Sequence, residues 1–183
     1  MNGTIERYSL PARCFHWLTV LLLAAQFAVA WTMPDVHRDT KPIGLIALHL
    51  SLGVLILLVM LARLAYRLAT PKVAPLPTTP PLINRLAHIG HGTLYLLLIV
   101  LPLLGWANAS SRGWDVSLFG LLPLPALSPT GSQLGHAMGD IHQLIAWVLL
   151  AVAGLHVGAA LYHHFVLRDA TLSRMLPQGS DKK

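Results

Sequence analysis

The side chains of this 183-residue chain best suited to chemistry are its ten histidines, and they recur inside four apolar segments: His16, His49, His88 with His91, and His142 with His156. An ionisable side chain at membrane depth is expensive, so repeated placement of this kind marks a functional site. His142 and His156 lie fourteen residues apart on one predicted helix. At about 1.5 Å per residue the interval spans roughly 21 Å, and two heptads bring both side chains back to nearly the same face. That spacing suits two stacked cofactors.

The elements that must hold these residues are membrane helices. Hydrophobic residues make up 55% of the chain and charged ones 11%, with a mean hydropathy of +0.62, too apolar for a soluble domain. The predicted architecture is an all-α integral membrane protein, an antiparallel four-transmembrane-helix bundle forming one domain over residues 1–183. Its spans are predicted at about residues 11–33, 42–68, 82–108 and 134–167. A proline-rich linker at 69–81 and an outer loop at 109–133 join them, the loop expected to lie along the membrane interface with Trp31, Trp106 and Trp114 as an aromatic belt. Pro102 inside the third span predicts a kink.

Charge sets the expected orientation. Ten of the thirteen Lys and Arg residues flank one side, and only Arg38, Lys41 and Arg112 fall on the other. The positive-inside rule then makes both termini cytoplasmic, in a multi-pass protein of the bacterial inner membrane whose surroundings are lipid and not nucleic acid. Cys14 is the only cysteine, which excludes an intrachain disulfide, a thiolate iron–sulfur cluster and covalent attachment of c-type haem. The first apolar segment carries His16 and no convincing cleavage site, so it reads as a retained span.

Because span direction alternates, each histidine acquires a depth. His49 and His142 fall at an outer level, His16 and His156 at an inner one. Each level offers two imidazoles from different helices, as axial ligation of a b-type haem requires. Gly53, Gly139, Gly154 and Gly158 lie close to these residues and would leave room for a flat macrocycle, although close helix packing is their competing use. A hydrogen bond to a neighbouring helix is the alternative for any single histidine. Zinc is the alternative for a cluster, but it wants Cys, Asp or Glu to complete a tetrahedral set, and Asp140, near a mouth, is the only acid within the spans. His88 and His91 also reach the inner level, so either replaces His16 on depth alone. His163 and His164 lie lower still, where histidines serve interfacial anchoring or proton movement.

As a set, Arg13-Cys14-Phe15-His16-Trp17, Leu48-His49-Leu50-Ser51-Leu52-Gly53, Leu86-Ala87-His88-Ile89-Gly90-His91, and Gly154-Leu155-His156 running into Tyr162-His163-His164 give the chain its family likeness. It resembles the bacterial cytochrome b561 family, and within it the small dihaem superoxide oxidases. The resemblance implies two haem b groups, the inner held by His16 and His156 and the outer by His49 and His142. It also implies a ubiquinone site towards the inner side, with His88, His91, His163, His164 and Arg67 as candidates. Superoxide would give electrons at the periplasmic side and ubiquinone would accept them. An alternative is an electron-transfer subunit linking a periplasmic hydrogenase, dehydrogenase or small cytochrome to the quinone pool. An anionic substrate calls for positive potential, yet Arg38, Lys41 and Arg112 face Asp35, Asp39, Asp115 and Asp140. Lys41 and Arg112, helped by His37 or His136, are the candidates for local steering.

Overall fold

The computed structural model describes residues 7–37, 39–71, 74 and 80–176. Arg38, Lys72, Lys182, Lys183 and most of the 69–81 linker lie outside the described residues. Four long helices carry the architecture: α1 (Leu10–Thr32), α2 (Leu45–Ala69), α3 (Pro81–Ser111) and α4 (Gln133–Tyr162). The shortest, α1 at 23 residues, extends roughly 34 Å, enough for a hydrocarbon core of about 30 Å. All four are apolar enough to cross a membrane.

Local chemistry sets the ends. Prolines occupy the first turns of α1 and α3, where a missing N–H costs nothing. Ser132 caps α4 by accepting from the Gly135 N–H at 3.1 Å. Beyond Tyr162 the chain widens into a π-helical turn, His163–Leu167, which Arg168 ends in the left-handed region at φ 53°. Pro102 sits within a continuous α3.

Neighbours in sequence are neighbours in space: α1 packs on α2, α2 on α3, and α3 on α4. Among the described residues α4 packs directly against neither α1 nor α2, so the bundle is open along that seam. Its central element is α2, the span with the largest buried share. One side chain crosses the opening. Leu149 of α4 is fully buried and clusters with Ile56 and Met60 of α2 and Leu98 of α3.

The outer loop departs from a simple interfacial connection, because it folds onto the bundle. Residues Ser117–Leu118 (β1) pair antiparallel with Leu122–Pro123 (β2). Ser51 of α2 secures this hairpin, its hydroxyl donating to the Ser117 carbonyl and accepting from the Phe119 N–H, both at 3.2 Å. Val116 is buried against Val54 and Ala109. At the opposite end, residues 168–176 double back beneath α1: Arg13 donates to the Leu176 carbonyl and Trp17 to that of Met175, each at 3.0 Å, and the Tyr8 N–H meets the Arg174 carbonyl at 3.3 Å. Both ends of the described chain therefore meet at one end of the bundle.

Two outcomes test this packing. A Cβ on Gly135 would lie 2.5 Å from both Ser111 Cβ and Ser128 Oγ, whereas one on Gly92 meets nothing within 4 Å. Gly135→Ala is expected to cost about 1–3 kcal/mol and to lower the Tm of the detergent-purified protein, with Gly92→Ala as the silent control. At the doubled-back segment, burial pulls the Asp169 carboxyl up, but hydrogen bonds from His163 and Thr171 outweigh it and hold Asp169 below its ordinary range. A depressed carboxyl stabilises above its unfolded pKa of about 3.9 and stops doing so as pH falls through the folded value. Proteolysis within residues 168–176 should accelerate below about pH 4, and Asp169→Asn should remove that dependence.

Candidate functional site

The open seam is where the histidines converge. Across it the rings of His16 on α1 and His156 on α4 lie 6.4 Å apart, centre to centre, and those of His49 on α2 and His142 on α4 lie 6.1 Å apart. Two metal–nitrogen bonds of ~2 Å, with about 1 Å more from each nitrogen to its ring centre, put facing imidazoles roughly 6 Å apart. Both pairs fit an iron between them. His91 of α3 also approaches His156, its ring centre 5.3 Å away, so three imidazoles gather at this level. Among the described residues no three His, Cys, Asp or Glu side chains gather as a chelating set for a bare ion.

At the level of His49 and His142 the seam opens into a cavity of about 620 Å³. Volumes of about 300–1,000 Å³ are typical of cofactor sites. His142 is held by a specific contact, its Nδ1–H donating to the Leu101 carbonyl of α3 at 2.9 Å, which leaves Nε2 as the ligating nitrogen. The ring can lie that close because residue 105, one turn beyond Leu101, is glycine. A Cβ there would stand 2.9 Å from His142 Cε1 and 3.0 Å from Nδ1.

His49 is held from α1. The Gln26 amide nitrogen lies 3.2 Å from His49 Nε2 and donates to the His49 carbonyl at 3.1 Å. The other ring nitrogen of His49 and the Gln26 amide oxygen are buried without a hydrogen-bond partner. Buried polar atoms left unsatisfied cost about 1–3 kcal/mol each. Their presence in the cavity wall fits a site built around a group from outside the chain.

The inner level is braced differently. Arg63 of α2 donates to His16 Nδ1 at 3.2 Å and to Thr19 Oγ1 at 3.3 Å, and Trp17 meets the His16 ring edge-on. The remaining candidates lie towards the same end. His88 is exposed and bonded to its own helix at the Asn84 carbonyl. His163 pairs with Asp169, and His164 is exposed beside Phe165. Arg67 is exposed and covers the Tyr95 ring. Of the steering candidates, Arg112, His37 and His136 line the outer cavity together with Asp35 and Asp140, and Arg112 also donates to the His37 carbonyl at 3.3 Å. Lys41 is exposed and is not among the lining residues.

The glycines divide between their two uses. Gly139 lies against Asn108, whose side chain would be 2.7 Å from a Cβ, so it serves helix packing, whereas Gly154 and Gly158 have nothing within 4 Å. Sequence reasoning missed Gln26, Gly105, Leu149 and the inward role of Arg63. The signals were Gln26 in an otherwise apolar span, and the two heptads that separate Arg63 from His49.

A family model described as prokaryotic cytochrome b561 matches residues 7–178. Similar proteins include cytochrome b561 homolog 2 of Escherichia coli, 34% identical over 98% of this chain and 96% of that one. The probable superoxide oxidase CybB of Yersinia pestis is 36% identical over 94% of this chain and 97% of its own. Cytochrome b561 homolog 1 of Escherichia coli is 29% identical over 95% and 99%.

The seat of His142 supplies a test. Gly105→Ala should drive the ring off the Leu101 carbonyl, so the purified protein is expected to carry less than its normal complement of haem, read by its absorbance per chain. Retention of the full complement would show that this seat does not matter.

Proposed function

The chain belongs to the prokaryotic cytochrome b561 family of membrane electron-transfer proteins, which carry b-type haem, and from that premise we propose that it is a dihaem superoxide:ubiquinone oxidoreductase of the bacterial inner membrane. The observation that carries the reading is the pair of imidazole couples, 6.1 and 6.4 Å apart, two heptads apart along α4. The name of the Yersinia relative supports the choice of substrate. When bound, haem supplies one-electron carriage, and two such groups in series suit a donor of single electrons and an acceptor of two.

The balanced reaction is two superoxide anions plus quinone plus two protons giving two dioxygen molecules plus quinol. In this proposal the loop end faces the periplasm and the termini face the cytoplasm. His49 and His142 ligate the outer haem, with Gln26 held to the His49 carbonyl and the Leu101 carbonyl fixing the orientation of the His142 ring. His16 and His156 ligate the inner one. Arg112, His37 and His136 at the cavity mouth draw superoxide, offsetting Asp35 and Asp140. The histidines of the terminal end, His88, His91, His163 and His164, with Arg67, bind quinone or pass it protons from the cytoplasmic side. Leu149, wedged between the levels, excludes water from the space that separates them.

Purified protein is expected to hold two haems per chain, and His142→Ala is expected to lose only the outer one. Rapid mixing with superoxide should reduce the haem, and a quinone analogue should then reoxidise it. A single haem in the unaltered chain would sink the paired-level reading. Two haems that superoxide does not reduce, with a soluble redox protein co-purifying, would instead favour an electron-transfer subunit serving a periplasmic hydrogenase, dehydrogenase or small cytochrome.

A further inference from the structure

Arg63 follows His49 on α2 by fourteen residues, which returns it to the same face of the helix, at the level of His16. It is half-buried there, fixed by His16 Nδ1 and by a Thr19 hydroxyl that itself donates to the Phe15 carbonyl at 2.7 Å. The guanidinium also lies over Tyr95, 5.3 Å from the ring centre, and Arg67, one turn on, covers the same ring at 5.2 Å. Two cations thus share one aromatic ring. The only ion pair among the described residues is His163 with Asp169, so no described carboxylate balances either arginine.

This arrangement is incomplete in two respects. A guanidinium keeps its charge, and a charge held at membrane depth without a counter-ion is costly. A guanidinium also only donates. Nδ1 of His16 is therefore the acceptor here, which puts the ring hydrogen on Nε2. Ligation of a metal through Nε2 places that hydrogen on Nδ1, where it faces the donors of Arg63. The bond must then break, and the guanidinium must turn to another acceptor, preferably an anion. Thr19 is neutral and already engaged.

On the two-haem reading, the incoming macrocycle brings its own anions, because haem b carries two propionate side chains. We propose that Arg63, supported by Arg67, is the counter-ion for a propionate of the haem held between His16 and His156, and that it exchanges its bond to His16 for that carboxylate as the haem binds. At the outer level His142 needs no such exchange, since it already donates from Nδ1 to Leu101, and at His49 Nε2 it is the neutral Gln26 amide that gives way, with no charge to rehouse. Arg63 is in this sense a binding residue for the inner cofactor and a reversible tie for its ligand.

Full-length protein carrying His142→Ala, which isolates the inner level, can be stripped and reloaded with haem b or with its dimethyl ester, in which both carboxylates are blocked. The free acid should bind about tenfold or more tightly than the ester. Arg63→Gln should abolish that preference by weakening the free acid alone, and Arg63→Lys should keep part of it. In the chain with His142 intact, retention of outer-level absorbance by Arg63→Gln reports that the bundle has folded. Equal affinity for acid and ester in the parent would overturn the proposal, as would an Arg63→Gln protein whose affinity for the ester falls as far as its affinity for the free acid. Failure of the parent to take any haem at the His16–His156 level would refute the two-haem reading itself, and this proposal with it.

Discussion

Two imidazoles that share one iron must stand roughly 6 Å apart, ring centre to ring centre, and the bundle is organised around keeping that distance open. Helices in contact would close it. The α4 backbone runs close to α3 alone and that of α1 to α2 alone, so the histidine-bearing faces look at each other across a seam that only side chains span. The seam is propped at mid-height by Leu149, seven residues from each α4 histidine and anchored among Ile56, Met60 and Leu98. This cluster separates two polar levels by an apolar one. It sets their distance, and it resists collapse of the seam.

Polar residues are distributed over α1 and α2 by a reciprocal rule. At the loop end α2 contributes His49 and α1 the supporting Gln26, while at the terminal end α1 contributes His16 and α2 the supporting Arg63. Each helix thus carries one imidazole and one group that grips the imidazole of its neighbour. Spans that are otherwise apolar can tolerate these polar side chains because each finds a partner within the bundle rather than facing lipid. The two grips are chemically unlike. Gln26 is neutral and can both donate and accept, so it imposes no charge on the outer level, whereas Arg63 brings a permanent cation to the inner one.

Much of this was legible in the sequence, because the bilayer imposes a long-range rule on local composition. Hydropathy gives the spans and alternating direction gives each histidine a depth, which matches His49 with His142, while His16, His88 and His91 all reach the level of His156 and only the family likeness singles out His16. What escaped depended on side-chain direction and close approach. Arg63 was counted among the flanking charges because it lies near a helix end, yet heptad register turns it inward to His16. Gly139 reads equally as space for a cofactor or as a packing contact, and only the position of Asn108 decides for packing. Gly105, without chemistry of its own, matters because the His142 ring occupies the place of its missing Cβ. The hairpin of β1 and β2 was hidden because its strands are two residues long and are held by a single serine hydroxyl from α2.

Both histidine pairs draw one member from α4, the last of the four long helices in chain order. No segment ending before residue 142 contains either pair, however well its first three spans have inserted. On the two-haem reading neither site exists until α4 has joined the first three spans, and those three alone would be a membrane bundle unable to retain a cofactor at either level. The contacts of residues 168–176 with Tyr8, Arg13 and Trp17 extend the same logic, since the start of α1 is tied down only once the segment that follows α4 is in place. On that reading the architecture makes cofactor retention a report on whether α4 has joined the bundle.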